Sequence, residues 1–232
     1  MPVPGYFQAI KAVCDRHGAL LIFDEVMCGM GRTGTLHAWE QEDVVPDIEA
    51  VGKVLGSGYA PISAMLVGHR VMSALKQGSG YFAHGQTYQS LPLNCAAALE
   101  VQRIIQEDNL VANVNKMGTY LEHLLRERFA DHPYVGDIRG RGLFWAVEFV
   151  ADKVSKEPLD AKLDVASRIG KKGLEKGYDI SLFPATGAAD GWKGDHFLLA
   201  PPYTVRKADI EEIVNRVGMV VDAVFKDLKE FL

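Results

Sequence analysis

The chain has 232 residues, of which 48% are hydrophobic and 24% are charged, a balance typical of a globular protein. Its 25 basic and 30 acidic residues give a net charge of −5, which argues against a nucleic acid or an anionic membrane as partner. The apolar runs are far shorter than the roughly 18 residues that span a bilayer, and the first residues do not read as a signal peptide. Three cysteines without C-x-x-C spacing predict neither a disulfide framework nor a zinc site. We therefore expect a cytoplasmic protein with a small-molecule ligand.

The first hundred residues alternate helical and strand patterns. Residues 6–17 place apolar side chains at helical spacing, and residues 20–26 (LLIFDEV) predict a short central strand covered on both faces. Residues 27–61 read as irregular loops around one short strand at 48–51. A further strand is expected at residues 62–68 and a short helix at 71–76. This alternation predicts an α/β fold.

The rest of the chain predicts two long helices and a smaller domain. Pro92 can begin a helix that runs to residue 105, and a second helix follows with inward residues Val114, Met117, Leu121, Leu124 and Leu125. Beyond them we expect strands within residues 137–150, 178–183 and 196–200, and helices at residues 160–176 and from Ala208 to residue 228. The predicted organisation is a large-domain part at residues 1–107, a linking helix at 108–130 and a small α+β domain at 131–232.

Two residues carry most of the predicted chemistry. Asp24 stands at the end of the first strand, and ligands of open α/β sheets bind at the carboxyl ends of strands. Lys53 lies in a glycine cluster formed by Gly52, Gly56 and Gly58, and a partly desolvated lysine is the amine nucleophile of Schiff-base chemistry. Taken singly, such an acid more commonly caps a loop, and such a lysine more commonly lies solvated on the surface.

Two other site types are disfavoured by their context. Residues 29–34 spell G-x-G-x-x-G after a strand, but no sustained helical period follows, and two acids precede the loop where a phosphate would bind. The seven histidines show no ligand spacing, so no metal site is expected.

Three ordered motifs make the chain resemble a known family. The segments LLIFDEVMCGMGRTG, PDIEAVGKVLGSGYAPISAMLVG and HGQTYQSLPLNCAAAL are similar to the class III aminotransferases, which are pyridoxal-phosphate enzymes of fold type I. The segments GDIRGRGLFWAVEF and HFLLAPPYTV resemble the C-terminal domain of that family. The resemblance implies part of a large domain with a mostly parallel sheet, followed by a small α+β domain.

The resemblance also assigns roles to four residues. It implies that Asp24 pairs with the protonated pyridine nitrogen of pyridoxal 5'-phosphate, that Val26 packs against the ring, and that Lys53 binds the cofactor covalently. Thr87 matches a residue that hydrogen-bonds the cofactor phosphate of the neighbouring subunit, which implies a homodimer. The implied reaction moves an amino group between an amine or amino acid and a keto acid or aldehyde.

The chain departs from the family pattern at several places. The resemblance covers the C-terminal portion, so the glycine-serine phosphate loop and the aromatic residue that stacks on the ring are expected to be missing. Met30 replaces a common phenylalanine, Leu91 a common histidine, and Leu198 an arginine of members that bind a substrate carboxylate. Two alternatives therefore stay open: another pyridoxal-phosphate reaction, such as that of an aminomutase, racemase or decarboxylase, and a truncated subunit without catalytic activity.

Overall fold

The computed structural model describes residues 1–231 and contains two compact units. The first unit spans Met1–Ala112, and the second begins at Asn113, within the first turn of helix α4 (Leu110–Arg128). Most of the apolar face of α4 contributes to the second unit, through the buried residues Val114, Met117, Leu121 and Leu125. The domain limits expected from the sequence stay a prediction.

The first unit is a mixed sheet with helices before and after its strands. Its elements are α1 (Tyr6–His17), β1 (Ile22–Asp24), β2 (Ile48–Val51), β3 (Ala64–Val67), α2 (His69–Gln77) and α3 (Pro92–Glu107), with short 3-10 helices at Ala38–Glu42 and Lys53–Leu55. The strand order is β1-β2-β3, in which β1 and β2 are parallel and β2 and β3 antiparallel. The parallel pair brings the carboxyl ends of β1 and β2 to one edge of the sheet.

The expectation of a central strand covered on both faces at residues 20–26 is wrong. Strand β1 has only three residues, and Ile22 is 60% exposed. Helix α1 forms where its spacing predicts it, but it buries none of its residues within the described part of the chain, and Tyr6 and Val13 are exposed. The apolar pattern predicts which face of each element is suited to packing. Burial of that face requires a second layer, which residues 1–231 do not supply here.

The second unit packs helices on an antiparallel sheet. Its remaining elements are β4 (Val135–Arg141), β5 (Phe144–Phe149), a 3-10 helix at Ala161–Leu163, α5 (Val165–Gly173), β6 (Phe183–Ala185), β7 (Asp195–Leu199) and α6 (Lys207–Asp227). The strand order is β4-β5-β7-β6, with antiparallel pairing throughout. Alternate residues of β7 face the core, and α6 buries a continuous apolar stripe, which places the largest hydrophobic core of the described chain in this unit.

Two elements of this unit differ from the sequence-based expectation. The helix expected at residues 160–176 is interrupted by Asp164, whose φ of 50° lies in the left-handed region and separates a short 3-10 turn from α5. Of the strand expected at residues 178–183, only Phe183 belongs to β6. The preceding backbone instead closes the end of α5, because the amide of Ile180 donates to the carbonyl oxygen of Gly173 at 2.8 Å.

Within residues 1–231, no helix combines the length and apolarity needed to cross a membrane. The three cysteines, Cys14, Cys28 and Cys95, are free thiols.

Candidate active site

The candidate site lies where the two parallel strands end. Asp24 is the last residue of β1 and is the register partner of Ala50 on β2. Lys53 follows the end of β2 by two residues. Because parallel neighbours end at the same edge of a sheet, the fold brings these two residues to one edge, as the sequence predicts.

The Asp24 carboxylate is held at one oxygen and open at the other. Its Oδ1 accepts a hydrogen bond of 3.0 Å from the backbone amide of Val26. Among residues 1–231, Oδ2 has no hydrogen-bond partner, and the residue is exposed. The side chain of Val26 lies against Gly52, where a Cβ atom would sit 3.4 Å from the Val26 Cγ1 atom. Asp24, Val26 and the residue before Lys53 thus form one local arrangement.

The backbone of Lys53 adopts an uncommon conformation. Its φ of 41° lies in the left-handed region, which costs a non-glycine residue about 1–3 kcal/mol. The turn is tight, since the Lys53 carbonyl oxygen accepts hydrogen bonds from the amides of Gly56 at 3.2 Å and Ser57 at 2.8 Å. The side chain is exposed and makes no hydrogen bond or ion pair within the described chain. A strained lysine with an unengaged amine is an arrangement typical of functional sites.

One glycine of the predicted cluster is required by close packing. A Cβ atom on Gly56 would lie 2.4 Å from the carbonyl oxygen of Ala60 and 2.8 Å from the Ile62 Cγ2 atom. Only a glycine therefore lets the chain after Lys53 fold back on itself.

Helix α3 supports this turn through side chains that the sequence analysis did not single out. Gln102 donates hydrogen bonds from Nε2 to the carbonyl oxygens of Val54 at 3.4 Å and Leu55 at 3.1 Å. Asn94 donates from Nδ2 to the carbonyl oxygen of Pro61 at 2.9 Å. Neutral amides on an amphipathic helix give no sequence signal for these long-range contacts.

A buried polar cluster lies beside Asp24 and was also missed. Glu25 and Glu49 are 3% and 4% exposed, and His37 offers its Nδ1 atom to the Glu49 carboxylate at 2.7 Å. One ligand-type atom from each of the three residues lies within 4.8 Å of the others, but the carboxylate oxygens already accept hydrogen bonds from His37, Trp39 and the backbone. The signal in the sequence was Glu25, the second acid of the Asp-Glu pair, which lies within the strand predicted at residues 20–26.

The thiol of Cys28, close to this cluster, lies in an environment that disfavours its ionisation. Burial is the main reason that the pKa of Cys28 rises to about 11, and the Glu25 carboxylate adds to the effect. A thiol of this pKa is a poor nucleophile at neutral pH.

Thr87 lies in a separate, exposed turn. The amide of Gln89 donates to the carbonyl oxygen of Gln86 at 3.2 Å, which closes the backbone around Thr87. Within the part of the chain that the structure describes, the Thr87 hydroxyl makes no hydrogen bond.

Comparison with known proteins gives a consistent family assignment. The family model described as "Aminotransferase class-III" matches residues 1–221. The chain is 57% identical over 222 residues to an aminotransferase from Gibberella zeae, covering 95% of this chain and 43% of the relative. It is 37% identical over 226 residues to a diaminobutyrate--2-oxoglutarate transaminase from Halomonas elongata, covering 96% of this chain and 46% of the relative.

Solved structures give the same result. A transaminase from the marine bacterium Virgibacillus has a TM-score of 0.91 and 32% identity, and covers 98% of this chain and 50% of its own. An (S)-enantioselective omega-transaminase from Thermomicrobium roseum has a TM-score of 0.85 and 34% identity, with 97% and 48% covered. The predicted fold class is confirmed by these similarities. The chain spans about half the length of the curated relatives it matches.

Proposed function

Because the chain belongs to the class III aminotransferases, we propose that it carries the lysine and carboxylate of a pyridoxal-phosphate-dependent transaminase. The proposed reaction transfers an amino group between an amine or amino acid and a keto acid or aldehyde. The observation that carries the proposal is the presence of Asp24 and Lys53 at the carboxyl ends of the adjacent parallel strands β1 and β2.

The donor set at this edge fits pyridoxal 5'-phosphate. The cofactor needs an anion for its ring nitrogen, an apolar surface for its ring and an amine for its carbonyl carbon, and it then supplies an electron sink for substrate bonds. Asp24 offers an open carboxylate oxygen, Val26 a branched apolar side chain, and Lys53 an unengaged amine. The residues present therefore match the group in chemical type.

Each residue has a distinct task in the proposed reaction. The Asp24 carboxylate would keep a proton on the ring nitrogen, and the Val26 amide holds that carboxylate in one orientation. Lys53 would hold the cofactor through its Nζ atom, and the same amine would serve to move a proton to and from the substrate carbon. The contacts of Gln102 with the following turn keep the Lys53 backbone in place.

The proposal predicts a lysine-dependent change in absorbance. We expect pyridoxal phosphate to develop, with the wild-type chain, an absorbance band at longer wavelength than that of the free cofactor, and we expect Lys53→Ala to abolish that band. Lys76→Ala, which removes an exposed lysine of α2, is the matched control and should leave the band unchanged. An undiminished band in Lys53→Ala contradicts the assignment.

We further propose that the protein acts as a homodimer in which Thr87 reaches the cofactor phosphate of the other subunit. The exposure of the Thr87 turn and its free hydroxyl support this role, because a symmetric pair can offer the hydroxyl to a neighbouring site. Sedimentation over a range of concentrations, with and without pyridoxal phosphate, tests it. We expect the wild type to form dimers. Thr87→Val should leave the dimer intact but bind the cofactor about tenfold more weakly, the loss expected when a hydrogen bond to a charged group is removed. A cofactor-binding monomer contradicts the proposal.

A further inference from the structure

The loop that follows strand β1 folds back onto Glu25, the residue after Asp24. Residues 26–42, called here the 26–42 loop, leave the end of β1 and come back in the 3-10 helix Ala38–Glu42. There the Glu25 carboxylate accepts hydrogen bonds from the backbone amides of Ala38 at 2.6 Å and Trp39 at 2.7 Å. The two charge-assisted bonds fix the far end of the loop to the residue next to Asp24.

The beginning of the same loop also folds over Glu25. The amide of Gly29 donates to the Glu25 carbonyl oxygen at 2.9 Å. A Cβ atom on Gly29 would lie 2.9 Å from the Glu25 Oε2 atom, so the turn has no room for a larger residue. Glu25 is thus in contact with both ends of the loop.

Glu49 provides a second anchor from strand β2. Its Oε1 atom lies 2.7 Å from the Nδ1 atom of His37, and its Oε2 atom accepts a hydrogen bond of 3.0 Å from the Nε1 atom of Trp39. The rings of His37 and Trp39 stack with their centroids 5.5 Å apart. The 26–42 loop is therefore held by β1 through Glu25 and by β2 through Glu49.

Glu25 is a buried carboxylate with a second carboxylate, that of Glu49, close by. Burial is the main cause that raises the pKa of Glu25, and the nearby Glu49 carboxylate raises it further. Cys28 and His37 are titratable groups close to the pair, and Glu40 accepts a hydrogen bond from the His37 amide.

We propose that Glu25 and Glu49 are positioning residues for the candidate active site, holding the 26–42 loop so that Asp24 and Val26 keep the arrangement that the cofactor ring needs. The link is short, because Val26 is the first residue of the loop, its amide donates to the Asp24 carboxylate, and its side chain lies against Gly52. A loop released from Glu25 frees Val26 and with it the orientation of Asp24. This inference rests on the proposed function only for the identity of the ligand.

Nitrogen-15 NMR of the full chain tests the inference without the cofactor. In Glu25→Gln the side-chain amide can accept from only one of the two backbone amides, so we expect the amide of Ala38 or Trp39 to exchange about tenfold faster. We also expect the Val26 amide to exchange faster, which a role confined to the distant end of the loop would not cause. Glu40→Gln is the matched control, since Glu40 is exposed and accepts a single backbone amide in the same 3-10 turn.

Two further readouts keep the test decisive. The backbone amide signal of Trp39, which donates to the Glu25 carboxylate at 2.7 Å, should titrate in the wild type with a midpoint above 4.5, the ordinary pKa of a glutamate, so the inference does not depend on whether Glu25→Gln folds. With pyridoxal phosphate, Glu25→Gln should raise the dissociation constant at least about tenfold while Lys53 remains the modified lysine.

The outcomes separate the two proposals. Unchanged exchange at Ala38, Trp39 and Val26 in Glu25→Gln overturns the positioning role, as does faster exchange at Ala38 and Trp39 with an unaffected Val26. A wild-type chain that never binds pyridoxal phosphate overturns the proposed function, and the Val26 measurement still decides whether Glu25 positions Asp24.

Discussion

The side chain of Gln102, on helix α3, donates a hydrogen bond of 3.1 Å to the backbone carbonyl oxygen of Leu55, in the turn that Lys53 opens. A residue 47 positions after Leu55 thus supports the turn that contains the strained backbone of the candidate catalytic lysine. The turn that contains Lys53 therefore combines a tertiary contact with its own local hydrogen bonds and the glycine at position 56.

We expect Gln102→Leu to loosen the Lys53 turn. Removal of the donor leaves the Leu55 carbonyl oxygen without this partner, at a cost of about 1 kcal/mol, so the dissociation constant of pyridoxal phosphate should rise about fivefold. Absorbance titration measures the constant. Gln106→Leu changes an exposed glutamine of the same helix and should have no effect; equal effects of the two substitutions would show that α3 does not support the turn.

Asp24→Asn should lower turnover by orders of magnitude with little change in stability. The amide keeps the shape of the side chain but loses the charge that keeps the ring nitrogen protonated. Steady-state kinetics with an amine donor and a keto acid acceptor measure the effect. Asp15→Asn, on the exposed surface of α1, is the control, and near-normal turnover in Asp24→Asn would remove this residue from the proposed mechanism.

The sequence predicts regular elements well where the pattern is local. Helix α6 begins within one residue of its expected start, since apolar residues recur at helical spacing through Val214, Val217 and Val221. Strands β4 and β5 lie almost entirely within residues 137–150, where strands are expected, and the φ of 54° at Gly142 suits the turn between them. Both results follow from short-range periodicity and turn chemistry.

Features that depend on long-range contacts were not predictable in this way. The break before α5 arises because Asp164 takes a left-handed conformation that its residue type permits but does not require. The role of Glu25 depends on backbone amides 13 and 14 residues away, which a linear pattern does not place. In the candidate site, the sequence therefore indicated Asp24 and Lys53 but not the residues that support them.

Gly118→Ala should strongly destabilise the second unit. A Cβ atom there would lie 2.0 Å from the carbonyl oxygen of Gly142, in the turn between β4 and β5, so α4 or the turn must move. Overpacking of this kind costs about 1–3 kcal/mol. Urea denaturation followed by circular dichroism measures the loss, with the exposed neighbour substitution Thr119→Ala as control. An unchanged midpoint in Gly118→Ala would contradict the close packing of α4 on this turn.

The stability of the second unit should fall on mild acidification because of His132. Burial, among the rings of Phe129, Tyr134 and Phe225, lowers the pKa of His132 from 6.5. A lowered folded-state pKa means that the unfolded chain binds the proton more tightly. The contribution of His132 to the free energy of unfolding is therefore complete above pH 6.5 and is lost as the pH falls from 6.5 through the folded-state pKa.

Urea denaturation at several pH values between 4 and 8 tests this pH dependence. His132→Phe should flatten the part of the profile below pH 6.5, because the phenylalanine ring fits the aromatic surroundings and does not titrate. His123→Phe removes an exposed histidine of α4 and should leave the profile unchanged. Identical profiles for the wild type and His132→Phe would show that another group governs the acid sensitivity.

The central claim, that Lys53 is the lysine that binds pyridoxal phosphate, is tested most directly by reduction with sodium borohydride and peptide mapping. The purified chain is incubated with the cofactor, reduced and digested, and the modified peptide is identified by mass spectrometry. We predict one modified residue, Lys53, with no other lysine labelled above the level found in Lys53→Ala. Labelling of another lysine at full occupancy, with Lys53 unmodified, would contradict the account.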